Sequence, residues 1–278
     1  MRIVLLPIST KRTLLYCIHS NTSTPGRPGL ADRLSTKVAN VWASWEHRES
    51  GWQRKVADYG NHALRRIPYQ EWGLKSVPPL TRRRRSDELA GKEKVELEFP
   101  GSVIGVGEAE RILQRLGMER EALHRMRLMW CFVGMPITIP VALIPIIPNL
   151  PFFYLAYRAW SHWRAIKGSQ HIQFLIKNKL PSITPSPVLD AIYATPRLPR
   201  RPPPDADTGA SPSEKTSSDE GPEPDEEILV TPDIGKKLSV ALEHPEIEFE
   251  IDRALWQVEQ QREKAKAGAD SDGSKRRR

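Results

Sequence analysis

Cysteine is almost absent from this chain of 278 residues. Cys17 and Cys131 are the only two, with no CxxC pair and no histidine at ligand spacing. That excludes a disulfide framework or a zinc site as the organising device, and both read as buried, apolar-like thiols. Glycine is scarce relative to proline, 17 against 25, so long stretches are expected to be neither packed helix nor sheet, and a large packed core is not expected. The stretch GSVIGVGEAE, residues 101–110, lacks the lysine and spacing of a phosphate loop. No nucleophile with a base and no metal cluster stands out, so the sequence predicts no enzyme and no cofactor. No nucleic-acid module is recognisable either, and the tryptophans follow helical faces.

Charge is missing in two places and concentrated in others. Residues 1–31 hold no Asp or Glu but carry Arg2, Lys11, Arg12 and Arg27, a composition that suits a mitochondrial address. The same stretch also reads as a short β element, RIVLLPIS and TLLYCIHS, joined at Thr10, Lys11 and Arg12. Net charge is +8, yet residues 214–252 hold 13 acidic and 3 basic side chains, a local −10, leaving +18 on the remainder. Such asymmetry suits a basic body facing an anionic surface and an acidic arm.

The second gap in charge runs from Leu128 to Tyr157, 30 residues. One membrane crossing needs ~20 apolar residues and two need ~40, so the run fits neither. It contains Pro136 and Pro140, then Pro145, Pro148, Asn149 and Pro151 near its centre, where helix must stop. The expectation is two short arms, 128–144 and 151–166, forming either a membrane hairpin or one kinked span. Arg120, Arg125 and Arg127 lie before it, and Arg158, Trp160, His162, Trp163 and Arg164 after it, the mix found where helices meet head groups.

The expected fold class is therefore a mainly α membrane protein with a short N-terminal β element, amphipathic helices, a proline-broken membrane segment, a disordered linker and C-terminal helices. Its regions are a basic, Trp-rich mixed part (1–127), the membrane segment (128–166), a short helix (167–180), the Pro/Ser/acidic linker (181–230), acidic amphipathic helices (231–262) and a basic tail (263–278). Within the first region, 32–66 has a helical apolar stripe, 67–79 reads as an extended loop, and KVELEFP at 94–100 alternates as a strand. Glu108–Arg127 reads as one charged helix. Arg82, Arg83, Arg84 and Arg85 form a basic run beside an apolar segment, which favours contact with acidic lipid. Pro232 suits a first helical turn, and the acidic helices could dock on the basic body or bind another partner.

The strings MRIVLLPIS, GWQRKVADYGNHALRRIPYQEWGLKSVPP and GMPITIPVALIPIIPNLPFFYLAYRAWSHWRA resemble the fungal mitochondrial potassium-hydrogen exchange-related family over about residues 1–180. The resemblance implies an inner-membrane protein that supports exchange of matrix potassium for protons and so controls matrix volume. Its partners would be the inner membrane with acidic lipids, copies of itself or other subunits of the exchange machinery, with potassium and protons as the transported species and no nucleic acid. Gly134, Pro136, Pro140, Pro145, Pro148, Asn149, Pro151, Arg158, Ser161, His162 and Trp163 fall in the matching strings and mark the membrane segment. An antiporter needs oxygen ligands and a titrating group in its path, and the charge-free run offers only Thr138, Asn149, Tyr154, Tyr157 and a poorly acidic Cys131. The chain is thus expected to be an accessory or regulatory component, or a pathway only as an oligomer, with a lipid-binding scaffold as the alternative.

Overall fold

The computed structural model describes residues 1–18, 66–138, 150–194 and 226–276, with isolated positions between 44 and 60 and side chains through 265. The helical stripe of 32–66 and the positions Pro140, Pro145, Pro148 and Asn149 fall almost wholly outside the described residues, as do most of the linker, 195–225, and the end of the basic tail.

Strands β1 (Arg2–Pro7), β2 (Thr13–Ile18), β3 (Val95–Phe99) and β4 (Pro181–Pro185) form one mixed sheet in the order β2-β1-β3-β4. The β1–β2 pair is an antiparallel hairpin with Leu5 opposite Leu15, while β1–β3 and β3–β4 are parallel. Parallel pairing requires long crossovers and covered faces. The helices that supply the cover are α1 (Tyr69–Ser76), α2 (Arg82–Leu89), α3 (Val106–Met118), α4 (Glu121–Thr138), α5 (Leu150–Lys177), α6 (Pro187–Tyr193), α7 (Pro232–Ala241) and α8 (Glu246–Arg276).

Because successive side chains of a strand point to opposite faces, the apolar run of β1 feeds two cores. Ile3, Leu5, Leu15, Cys17 and Leu97 pack with Leu74, Leu113, Ile172 and Leu175 of α1, α3 and α5. Val4, Leu6, Leu14 and Ile18 pack on the other side with Leu238, Ile251 and Val258 of α7 and α8. The acidic C-terminal helices therefore dock back on their own body. Thr231 caps α7 through the Ile234 N–H, with Pro232 in the first turn as expected. Ahead of them, Leu229 N–H donates to the Ile8 carbonyl and Thr10 N–H to that of Glu227.

Two glycines set the spacing of the first layer. A Cβ at Gly73 would run into the Leu15 carbonyl, and one at Gly168 into the Leu74 carbonyl. Helix α1 thus lies directly on β2, and α5 directly on α1, with backbone meeting backbone.

These findings correct the expected fold class. The described residues form a mixed four-stranded sheet with helices on both faces in place of the expected mainly α fold built around a membrane segment, and no described helix is long and apolar enough to cross a membrane. The physical reason lies at the charged ends of the run. Helix α4 opens at Glu121 and buries His124, and its described residues take in 128–138 of the charge-free run. Helix α5 carries 150–157 of that run before continuing into the core through Ala165, Ile172 and Leu175, while 139–149 lie outside the described residues. Each described apolar stretch is short of the ~20 residues a crossing needs. Neither a membrane-crossing hairpin nor a kinked span is therefore present among the described residues.

Smaller corrections have the same origin. Residues 69–76 are helical where an extended loop was expected, Glu108–Arg127 is divided between α3 and α4, and the short helix at 167–180 is the last part of α5. The start of the expected linker holds β4 and α6, with Pro181 and Pro185 tolerated because β4 is an edge strand.

A buried ion-pair and imidazole network at the root of the helical hairpin

Helices α4 and α5 form a hairpin whose root rests on α1. Arg158, Ser161 and His162 stand at i, i+3 and i+4 of α5, one face of a helix, and all three turn toward α1. There the Glu71 carboxylate is fully buried and Arg158 is 11% exposed. Arg158 donates to Glu71 Oε1 at 2.8 Å and Oε2 at 3.2 Å, a bidentate pair. The Ser161 hydroxyl donates to Oε1 at 2.6 Å. Burial alone would raise the pKa of Glu71, but the Ser161 hydroxyl and the Arg158 charge outweigh it and hold the group below its ordinary value.

The network continues into two histidines. Arg158 Nη2 lies 3.1 Å from His162 Nε2, and His162 Nδ1 lies 3.1 Å from His124 Nδ1 on α4. A guanidinium can only donate, so His162 Nε2 accepts. The proton of a neutral His162 is then on Nδ1 and is donated to His124 Nδ1, which leaves the His124 proton on Nε2. That last nitrogen is buried without a hydrogen-bond partner. Burial lowers the pKa of both rings. For His162, Arg158, His124 and Arg127 add to the effect against the opposing charge of Glu71, and its value falls to about 4.

Glu71, His124 and His162 present ligand-type atoms within 4.8 Å of one another, which invites a metal reading. The surrounding donors do not fit it. A histidine bound to metal through Nδ1 would carry its proton on Nε2 and normally donate it to an acceptor, whereas His162 Nε2 faces the Arg158 guanidinium. Arg158 also occupies both oxygens of Glu71. The arrangement suits neutral imidazoles joined by one shared proton.

A second buried pair anchors α2. His171 of α5 contacts the Pro78 carbonyl through Nδ1 at 2.8 Å and the Glu88 carboxylate through Nε2 at 2.9 Å. One turn along α1 from Glu71, Lys75 sits 3.5 Å from the centroid of the Trp72 ring, and Arg253 of α8 lies 4.4 Å from the same ring. Burial lowers the Lys75 pKa to about 8 despite the nearby Glu71 and Glu250 charges.

Of the expected markers, the structure brings Arg158, Ser161 and His162 together. Gly134 packs against Leu155 across the hairpin, Pro136 lies in the last turn of α4, Pro151 lies in the first turn of α5, and Trp163 is 44% exposed. Arg82–Arg85 open α2 beneath the Thr81 cap. Arg83 pairs with Asp87, Arg84 pairs with Glu93, and Arg85 lies over Phe174. Four cations in the first turns oppose the helix dipole, with the i, i+4 pair of Arg83 and Asp87 offsetting part of that cost.

Sequence reasoning missed Glu71, because its segment read as a loop, and His124, because nothing nearby in sequence pairs with it. The i, i+3, i+4 spacing of Arg158, Ser161 and His162 was the available signal.

The profile of the mitochondrial K+-H+ exchange-related family matches residues 2–176. An uncharacterized protein of Schizosaccharomyces pombe is 33% identical over 171 residues, covering 61% of this chain and 72% of the relative. An uncharacterized protein of Saccharomyces cerevisiae is 24% identical over 202 residues, covering 64% of this chain and 63% of the relative. No solved structure matches the chain significantly. The match takes in β1–β3 and the whole buried network, while β4 and the C-terminal helices that cover the second face of the sheet lie beyond it. The chain belongs to the mitochondrial K+-H+ exchange-related family.

Proposed function

We propose that this chain is a non-enzymatic accessory of potassium-proton exchange at the mitochondrial inner membrane, held to the bilayer surface by the far end of the α4–α5 hairpin. One observation carries the reading: beyond the buried root, the described part of the hairpin exposes large apolar side chains on the faces of α4 and α5 turned away from each other. Met129 is 68% exposed, Trp130 67%, Ile137 72% and Phe153 62%. An exposed apolar surface of this kind marks an interaction site. Residues on several sides of both helices fit a surrounding lipid phase better than a groove on one partner, and tryptophan with tyrosine suits the interfacial layer. Arg82–Arg85 would add attraction to acidic head groups.

Support for an accessory role, as opposed to the ion path itself, comes from the placement of titratable groups. Glu71, His124, Arg158 and His162 are gathered at the root and tied to one another. The described part of the apolar run contains no charge. Potassium and protons would be moved by subunits that this chain assembles with, or by an assembly of its own copies.

The lipid-binding scaffold remains the second reading, since the exposed tip serves it equally. The swelling rate of de-energised mitochondria in potassium acetate separates the two. Loss of the chain should slow swelling and re-expression should restore it. Equal rates with and without the chain would remove the exchange role and leave the scaffold.

A further inference from the structure

The hydrogen-bond accounting of the histidine pair leaves no place for another proton. His162 Nε2 and His124 Nδ1 are the two accepting positions, and both are filled, by the Arg158 guanidinium and the His162 N–H respectively. A proton added to His162 Nε2 would set N–H against guanidinium. A proton added to His124 Nδ1 would set N–H against N–H at 3.1 Å. Either position forces two donors together in a site where water has little access: His124 and His162 are each 2% exposed.

The charges around the pair favour the same outcome. Helix α1 offers Glu71, which attracts a proton, but that charge is already matched by Arg158 of α5. Arg127 of α4, Arg120 just before it and Arg158 of α5 all oppose protonation of His124. One turn further along α1, Lys75 lies over the Trp72 and Tyr157 rings and near the Glu71 charge, and Arg253 of α8, paired with Glu250, lies over Trp72.

We propose that the His124–His162 contact is a proton-operated latch, in which uptake of a proton parts α4 from α5 and α1 at the hairpin root. His124 is the only buried residue of α4 besides Cys131, two turns further along. The pair is the polar tie between α4 and the Glu71–Arg158 centre; helix α4 is also held to α5 by Glu121, which accepts from Gln173 at 2.6 Å, and by Gly134 against Leu155, so breaking the tie loosens α4 around His124 and Cys131 first. The latch concerns how the hairpin is joined to the body and does not require the exchange role, so each can fail alone.

Cys131 supplies the readout. It is 7% exposed on the buried side of α4, while Cys17, 3% exposed, lies in the sheet core. The full chain is treated with 4,4′-dithiodipyridine between pH 7.5 and 5.0. Labelling of the two cysteines is followed separately by peptide mass spectrometry, and rates are normalised to glutathione at each pH. The expected result is a rise of about tenfold or more in Cys131 labelling as pH falls, because the open population grows as the imidazoles take up protons, with Cys17 unchanged. A flat Cys131 profile, or parallel acceleration of both cysteines, overturns the proposal. A folded H124Q/H162Q variant should lose the acid acceleration, and retention of it excludes the imidazoles. Hydrogen exchange of the α4 amides in the unmodified chain gives a test free of any variant: protection relative to the intrinsic exchange rate at each pH must fall on acidification in α4 ahead of β1. Stoichiometric protection of Cys131 by Zn2+ at pH 7.5 would also overturn the latch, since a cation would then hold the lone pairs assigned to protons.

Discussion

Replacing Arg158 with methionine should be among the most damaging single changes at the hairpin root. The substitution keeps the unbranched stem of the side chain but removes both donors to Glu71 and the donor to His162. Glu71 has no exposure to solvent, and after the change only the Ser161 hydroxyl remains from the described set to stabilise its charge. Removing one partner of a buried ion pair typically costs about 3–5 kcal/mol. For a folded unit of roughly 150–250 residues this is a fall in Tm of about 6–20 °C. The E71Q/R158M double variant removes the uncompensated charge and should recover most of the loss, ending within about 2 kcal/mol of the unmodified chain. Urea unfolding at pH 7.5, followed by tryptophan fluorescence, measures all four members of the cycle. The single variant should also respond less to acid, because its Glu71 is no longer held below the ordinary carboxylate range. A loss under 1 kcal/mol for R158M, or a double variant as unstable as the sum of the singles, would refute the assignment of this pair as the centre of the root.

Three further outcomes follow from the geometry. Gly168→Ala places a methyl group against the Leu74 carbonyl and should destabilise by about 1–3 kcal/mol, whereas Gly107→Ala, with open space around it, should not; a shift in urea midpoint distinguishes them. His162 is held at about 4 from an ordinary 6.5, so its contribution is complete above pH 6.5 and is lost as pH falls toward 4, by up to about 3 kcal/mol; H162Q should flatten that slope between pH 6.5 and 4.5 in urea titrations. The W130S/F132S variant should bind liposomes containing acidic lipid about tenfold to a hundredfold less per side chain removed, at ~1.5–3 kcal/mol each, with unchanged stability, as read by co-sedimentation.

What the sequence revealed depended on how locally the determining contacts lie. β1, β2 and β3 were legible because short apolar runs in the first two and apolar alternation in the third are properties of the strands themselves. The C-terminal helices were legible through Pro232 and the spacing of Ile234, Leu238, Ile247 and Ile251, and both cysteines are buried as expected. Helix α1 was not legible, because Pro68, Gly73 and Pro78 read as loop signals; Gly73 is there for close contact with β2. The membrane-crossing expectation came from counting 30 uncharged residues without knowing where the helices begin. His124 and Arg158, at either end, are partners of Glu71 in a folded root, and that relation is visible only in three dimensions. β4 was hidden because PSITP looks like linker and becomes a strand only beside β3.

The exposed tip of the hairpin and the exchange role are joined in one claim: this surface is what the chain brings to the membrane. Swelling of mitochondria in potassium acetate, in cells lacking the chain and re-expressing either the unmodified protein or W130S/F132S at equal abundance, tests it most directly. The account predicts that the unmodified protein restores the rate and the tip variant does not. Full restoration by the tip variant would contradict it.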